Sequence, residues 1–386
     1  MKKRCFSLLV LAYTIGLTIP ALFLSLLVTA QTGEVSQPIM QQIYEEIKTP
    51  YKYGLVMVPA DDSKKIDCPS VFRKGKTWYM TYLVFDGRGY ETWMAKSKDL
   101  LQWKSLGKIM SFSDTTIAVV PGNYGDGWDA NQKAGYIALQ DHQWGGSYQL
   151  QKFQNKYWLS YIGGKDRGYE AGPLAIGIAH TNTEPTKPHE WQRIAKPVLT
   201  STDNDVRWWE NKKLFKSTVI WDKDKITGYQ FVMYYNANGD SSGNKPKWRW
   251  FERIGMAVSD DMINWKRLGS DPVMHHKLGI TGDAVIQQIK GVWVMFYFGA
   301  FWEERKDAFN RFACSYDLVN WTDWNGDDLI KSSESYDEKF AHKSSVVKHK
   351  GIVYHFYCAV NNKDQRGIAV ATSLDKGKSK LHFVNK

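Results

Sequence analysis

Cysteine is scarce in this chain and unpatterned. Of its four cysteines, Cys5 falls in the leader described below; Cys68, Cys314 and Cys358 remain, with no CxxC pair. An odd number without paired spacing indicates neither a disulfide framework nor a cysteine-built zinc site; at most one bridge can form, and buried free thiols are the plainer reading. Basic runs are also missing. The formal charge of +11 is scattered, falls to +8 once Lys2, Lys3 and Arg4 leave, and offers no concentrated surface for nucleic acid. A polyanionic glycan or a plain solvated surface accounts for it. Beyond residue 30 no stretch is long and apolar enough to span a bilayer. Long helical periodicity is absent after residue 50, and no Pro/Ser-rich linker announces a second domain. Aromatic residues are abundant instead, with 17 Trp and 21 Tyr, as in β-rich proteins and in proteins that stack rings on sugars.

The first thirty residues read as a signal peptide. A basic start at Lys2, Lys3 and Arg4 leads into an apolar stretch from Leu8 to Val28, and Val28-Thr29-Ala30 supplies the small residues of a cleavage site. The stretch is long enough to anchor, but Pro20 and the small-residue exit favour cleavage. The expectation is a secreted or periplasmic protein with no membrane attachment after processing. Residues 31–60 form an N-terminal extension, helical where Ile39, Ile43 and Ile47 recur at a spacing of four.

Internal repetition gives the architecture. Five apolar segments end in Tyr82, Tyr161, Tyr235, Tyr297 and Tyr357, and each precedes a strand carrying Ala-x-Ser/Thr. Three copies continue into an Asp-apolar-apolar-amide-Trp turn: Asp99 to Trp103, Asp261 to Trp265 and Asp317 to Trp321. The Asp can cap a tight turn while the Trp covers the edge of the unit. Four short strands repeated five times predict an all-β, five-bladed β-propeller over residues 61–386, closed on itself so that only short sheet edges remain.

Counting back from each Tyr places candidate residues at the channel mouth. Asp67 and His342 share one register position, and Asp283 falls within one place of it. The same count puts Gly146 and Ser147 in the second unit and Lys216 in the third. An Asp there can simply cap a strand, yet these positions differ while the strands behind them stay alike, as when a scaffold carries a site. The motif Arg-Gly-Tyr-Glu occurs twice, as Arg88 to Glu91 and Arg167 to Glu170, on what the spacing predicts to be equivalent loops. It is either a repeated turn with an Arg–Glu pair or a source of a catalytic Glu170. Trp128, Asp129, Gln140 and Trp144 are candidates for substrate-binding walls.

With these features the sequence resembles the five-bladed propeller glycoside hydrolases, family 43 and relatives such as families 32, 62, 117 and 130. The likeness rests on the repeat count, on Asp67-Cys-Pro-Ser-Val opening the first blade and on the Ser-x-Asp-Leu-x-x-Trp turns. It implies that Asp67 is a general base. The family's second Asp and its Glu find only Gly146 to Gln149 and Lys216 to Thr218 at their positions. Asp67, Asp283 and His342 together look more like family 117. The resemblance further implies inversion and an exo-acting pocket, with furanose or galactose-type sugars as common substrates; the expected substrate is a plant or algal glycan side chain or oligosaccharide.

Glycoside hydrolysis needs a proton donor at the leaving oxygen and a base or nucleophile across the ring. The expected roles are Asp67 as base, His342 or Glu170 as acid and Asp283 as orienter, with Lys343, Arg88 and Arg167 facing an anionic group on the sugar and Glu91 beside them. No cofactor is required, although a divalent cation such as calcium would suit a channel lined by carboxylates and His. A non-catalytic glycan-binding propeller and a phosphate-dependent glycoside phosphorylase are the alternatives.

Overall fold

The computed structural model describes residues 33–113, 127–188, 190–239 and 251–384; the leader read over residues 1–30 lies outside them. The helix expected in the extension is α1 (Gln37–Ile47), with Pro38 in its first turn and Met40, Ile43 and Ile47 buried on one face. No described helix is long and apolar enough to cross a membrane. Among the described residues, the regular elements after α1 are strands, apart from one short 3₁₀ turn at Trp208–Glu210.

The first unit is β2 (Lys65–Lys74), β3 (Thr77–Phe85), β4 (Tyr90–Ser97) and β5 (Trp103–Met110), paired in that order. The second is β6 (Gln132–Ile137), β7 (Tyr157–Gly164), β8 (Leu174–Thr181) and β9 (Gln192–Arg193). An eight-stranded sheet holds two more sets, β10 (Lys213–Trp221) to β13 (Lys266–Arg267) and β14 (Gly279–Ile289) to β17 (Thr322–Asp323). Between their ends run β11 (Phe231–Asn238), β12 (Phe251–Ser259), β15 (Val292–Trp302) and β16 (Arg305–Ser315). A short parallel contact, Phe251 with Gly279 and Glu252 with Ile280, joins the two sets. The last sheet runs β18 (Phe340–His349), β19 (Ile352–Val360) and β20 (Arg366–Thr372), and its outer strand is β1 (Tyr51–Met57) from the extension. The first strands of the units touch in cyclic order, β2 to β6 to β10 to β14 to β18 and back to β2, so they surround a common axis.

The repeated residues have repeated jobs. Tyr161, Tyr235, Tyr297 and Tyr357 are fully buried, and each donates its hydroxyl to a carboxylate: Asp129, Glu210, Asp323 and Asp337 respectively. Tyr82 reaches Ser105 instead, at 2.8 Å. In two units the residue paired with the Tyr is glycine, Gly177 or Gly255, because the ring lies over it; a Cβ there would meet Tyr161 at 2.4 Å or Tyr235 at 2.8 Å. In the Asp turns, Asp317 accepts from the backbone N–H of Val319 and Asn320 at 2.9 and 2.7 Å, and Trp321 donates to Leu318 O at 3.2 Å. Asp99 and Asp261 repeat that pattern.

One predicted strand is elsewhere. The first strand of the second unit is β6, not the segment at Gly146 and Ser147, which lies in the connection to β7 against the Asp141 carboxylate. Counting back from Tyr161 assumes a tight hairpin, and this unit has a long excursion instead.

Candidate active site

A cavity of about 220 Å³ opens on the axis, at the end where the first and third strands of each unit begin. Three register positions line it. The residue after the repeated Tyr gives the first in four units: Leu83, Ile162, Asn236 and Phe298. The second comes from β-bulges in the first strands, where two residues oppose one across the hairpin. The leading bulge residue adopts a left-handed backbone in three units, Cys68 (φ 48), Asp283 (φ 57) and Lys343 (φ 64), and all three line the cavity. Non-glycine residues are uncommon in that region, and here it re-aims each side chain to the axis. The third position lies three residues before the partner of the Tyr on the third strand. It supplies Tyr90, Glu252, Ala308 and Arg366 to the wall.

Two glutamates meet in this cavity. Glu170, with φ 48, comes from the loop before β8, where Lys213 Nζ holds its backbone carbonyl at 2.6 Å. Glu252 opens β12, with Asn236 Nδ2 at 3.5 Å. Burial, then the charges of Glu170 and Asp283, push the Glu252 carboxyl up to about 8. Burial also raises Glu170, while Lys343 works against the rise. Asp283 is fixed on both sides: its Oδ1 accepts from Asn236 Nδ2 at 2.7 Å and its backbone N–H donates to Asn236 Oδ1 at 2.7 Å. Lys216 Nζ stands 3.8 Å from Asp283 Oδ2, with no hydrogen-bond partner.

Asp67 and His342 share a register position as predicted, each at the base of its bulge. Asp67 does not line the cavity. Its Oδ2 accepts from Lys343 Nζ at 2.8 Å and Arg366 Nη1 at 3.2 Å, and Oδ1 accepts from its neighbour Cys68 N–H. Burial opposes its ionisation, but Lys343 and Arg366 hold it well below the usual carboxylate range. It is a buried counter-ion that aims two cations into the cavity. His342 does line it, against Phe298 and Phe340. Burial first, then Lys343, lowers its imidazole to about 3, so the ring is neutral at pH 7.

The remaining candidates lie outside the cavity lining. Glu91 is buried against Ser111 and Lys108, and Arg88 binds Asn131 and covers Phe112. Arg167 is exposed. The two Arg-Gly-Tyr-Glu copies are not equivalent in register: Tyr90 begins β4, whereas Tyr169 precedes β8 by five residues. They still meet, through Gly168 N–H donating to Arg88 O and Tyr169 packing on Tyr90. Trp128 stacks on Tyr161, and Asp129 takes the Tyr161 hydroxyl and pairs with Arg193. Trp144 donates to Glu46 of α1 at 2.8 Å. Gln140 lines a cavity of about 30 Å³ farther along the axis, which shares Tyr136 and Lys216 with the main one.

Glu252, Arg366 and Asn236 escaped the sequence reading. The signal was available, since the repeat that aligned the first strands also aligns the third. Asp67, His342 and Cys358 bring one donor atom each within 4.8 Å of one another. That set does not suit calcium, which takes oxygen ligands, and Lys343 and Arg366 already occupy the carboxylate.

No protein-family model matches the sequence, and no curated protein is similar to it. Solved structures are. One called "Glycoside hydrolase" is 52% identical over 91% of this protein and 99% of its own length, with a TM-score of 0.85. A second, a complex named for BT0996 and RGII, has the same identity, coverage and score. A thermostable family-43 glycoside hydrolase is 16% identical over 85% of this protein and 96% of its own length, with a TM-score of 0.55, and shares the fold.

Proposed function

The protein belongs to the glycoside hydrolases of propeller fold, and from that premise we propose that it removes terminal sugars from a plant or algal oligosaccharide, with Glu252 as acid and Glu170 as base. One observation carries the assignment: two glutamates share a single axial cavity, and Glu252, whose carboxyl is pushed up to about 8, holds a proton at neutral pH. Glu252 gives that proton to the glycosidic oxygen as the C–O bond breaks. Glu170 takes a proton from water as the water oxygen bonds to the anomeric carbon. This replaces Asp67 as base, because Asp67 sits behind Lys343 and Arg366. It replaces His342 as acid, because a ring titrating near 3 has no spare proton at pH 7.

Tyr90 and Tyr136 present buried hydroxyls without hydrogen-bond partners to the cavity, and Lys216 an ammonium. Such groups are costly until a partner arrives, so sugar hydroxyls are their natural complement. The cyclic order of the first strands supports five blades around this cavity. Beyond Tyr136 and Lys216 the axis narrows to about 30 Å³, which supports exo action. Lys343 and Arg366 share Asp67, and Lys216 faces Asp283. With their charge already answered, they make a poor phosphate site, which argues against a phosphorylase. Export through the leader over residues 1–30 would bring the enzyme to such a glycan.

RGII, named in the complex of a 52%-identical protein, is the source of oligosaccharide to try first. Glu252→Gln should lose ~10²–10⁴-fold on it while sparing an aryl glycoside whose phenol leaves without protonation. Glu170→Gln should fail on both. Full activity of either variant on the oligosaccharide overturns the assignment. Inversion, which the resemblance implies, is tested by ¹H NMR of the first anomer released.

A further inference from the structure

Arg253 follows Glu252 on β12, so the two side chains point to opposite faces of the strand. Its guanidinium lies 5.2 Å from the Trp208 ring and 5.3 Å from the Phe251 ring. Among the described residues no carboxylate pairs with it, and its Nη1 is buried without a hydrogen-bond partner. Burial lowers its affinity for its proton, with no acid to offset the effect. Arg267, Arg305 and Arg311, by contrast, each hold an Asp or Glu. Trp208 is 48% exposed, a large ring left open to solvent.

This ledge stands at the end of the molecule where the cavity opens. Trp208 begins the short 3₁₀ turn that leads into β10, and Lys213 at the start of β10 pairs with Asn238 at the end of β11. Lys213 also binds the Glu170 carbonyl. An open indole beside a cation without a counter-ion, one residue from the group that protonates the leaving oxygen, has the chemistry of a leaving-group subsite. We propose that Trp208 and Arg253 bind the next residue of an acidic glycan, the indole stacking on its ring and the guanidinium pairing with a uronate carboxylate. The proposal rests on the reading above, since Glu252 marks the scissile bond.

The test is binding by calorimetry, using oligogalacturonides of two to four residues and their methyl esters with the full-length protein. The acid should bind at least about tenfold more tightly than the ester, as a charged hydrogen bond requires, and added salt should narrow the gap. Arg253→Gln should bring the acid to the level of the ester, Arg253→Lys should restore part of the difference, and Trp208→Ala should weaken both ligands. Equal binding of acid and ester, or acid binding untouched by Arg253→Gln, overturns the proposal. Glu252→Gln separates the two readings. Parent-like turnover of glycan by that variant overturns the catalytic assignment, whereas the difference between acid and ester and its loss in Arg253→Gln decide the ledge.

Discussion

Glu252 keeps its proton where an ordinary glutamate has lost it, and two measurements follow from that. Its folded-state value, about 8, lies above the unfolded one, so the folded protein resists ionising a group that the unfolded state ionises freely. The penalty is absent below the unfolded value, grows as pH rises toward 8 and is constant above it. Glu252→Gln, which cannot ionise, should therefore melt at a higher temperature than the parent at pH 7 to 8. By pH 4 the gain should vanish, as scanning fluorimetry across that range would show. Activity should follow the same group. In the parent, kcat/KM should decline as pH rises through about 8, because the acid is then deprotonated. His342→Gln should leave that limb in place, since a ring titrating near 3 does not set it. Neither value was legible from the sequence. A glutamate in this stretch of sequence looks like any other, and its carboxyl rises only because burial, Glu170 and Asp283 converge on it from separate units.

At the scale of elements, the Asp turns and the bulges behave oppositely. The turn is a local device: the bonds that Asp317 accepts from Val319 and Asn320 N–H and that Trp321 donates to Leu318 O each span two or three residues, so its sequence was sufficient to recognise it. Asp317→Ala removes the acceptor for two backbone N–H groups and for Asn320 Nδ2. We expect a loss of about 1–2 kcal/mol in urea unfolding, the usual worth of such a cap. Asp99→Ala should cost about the same, and the double variant should be additive because the turns sit in different units. The bulges at Cys68, Asp283 and Lys343 were half legible. The common register of Asp67 and His342 came from counting, but which neighbour turns to the axis depends on a left-handed residue that the count does not reveal. The second unit shows the limit of counting altogether: the connection from β6 to β7 is long, and Tyr161 no longer marks where its first strand lies.

For the molecule as a whole, closure depends on the extension. Strand β1 pairs with β20 from Tyr51↔Thr372 to Met57↔Ile368, completing the last sheet with the earliest strand in the sequence. Helix α1 covers Ile289, Val292 and Phe296, and Glu46 takes Trp144 and Lys348. A variant lacking residues 33–58 would present β20 as a bare edge beside an uncovered apolar face, a template for aggregation. We expect it to elute as aggregate in size-exclusion chromatography, where a monodisperse peak would show the extension to be dispensable. The sequence by itself determined the all-β character, the repeat and its Tyr and Asp turns, and the family likeness, because each rests on short-range periodicity or on bonds between near neighbours. Only the tertiary structure decided which residues face the axis and how they are charged. Asp67 became a counter-ion and Glu252 a proton holder through contacts 276 and 82 positions away in sequence, with Lys343 and Glu170. Those contacts exist only once the ring of strands has closed.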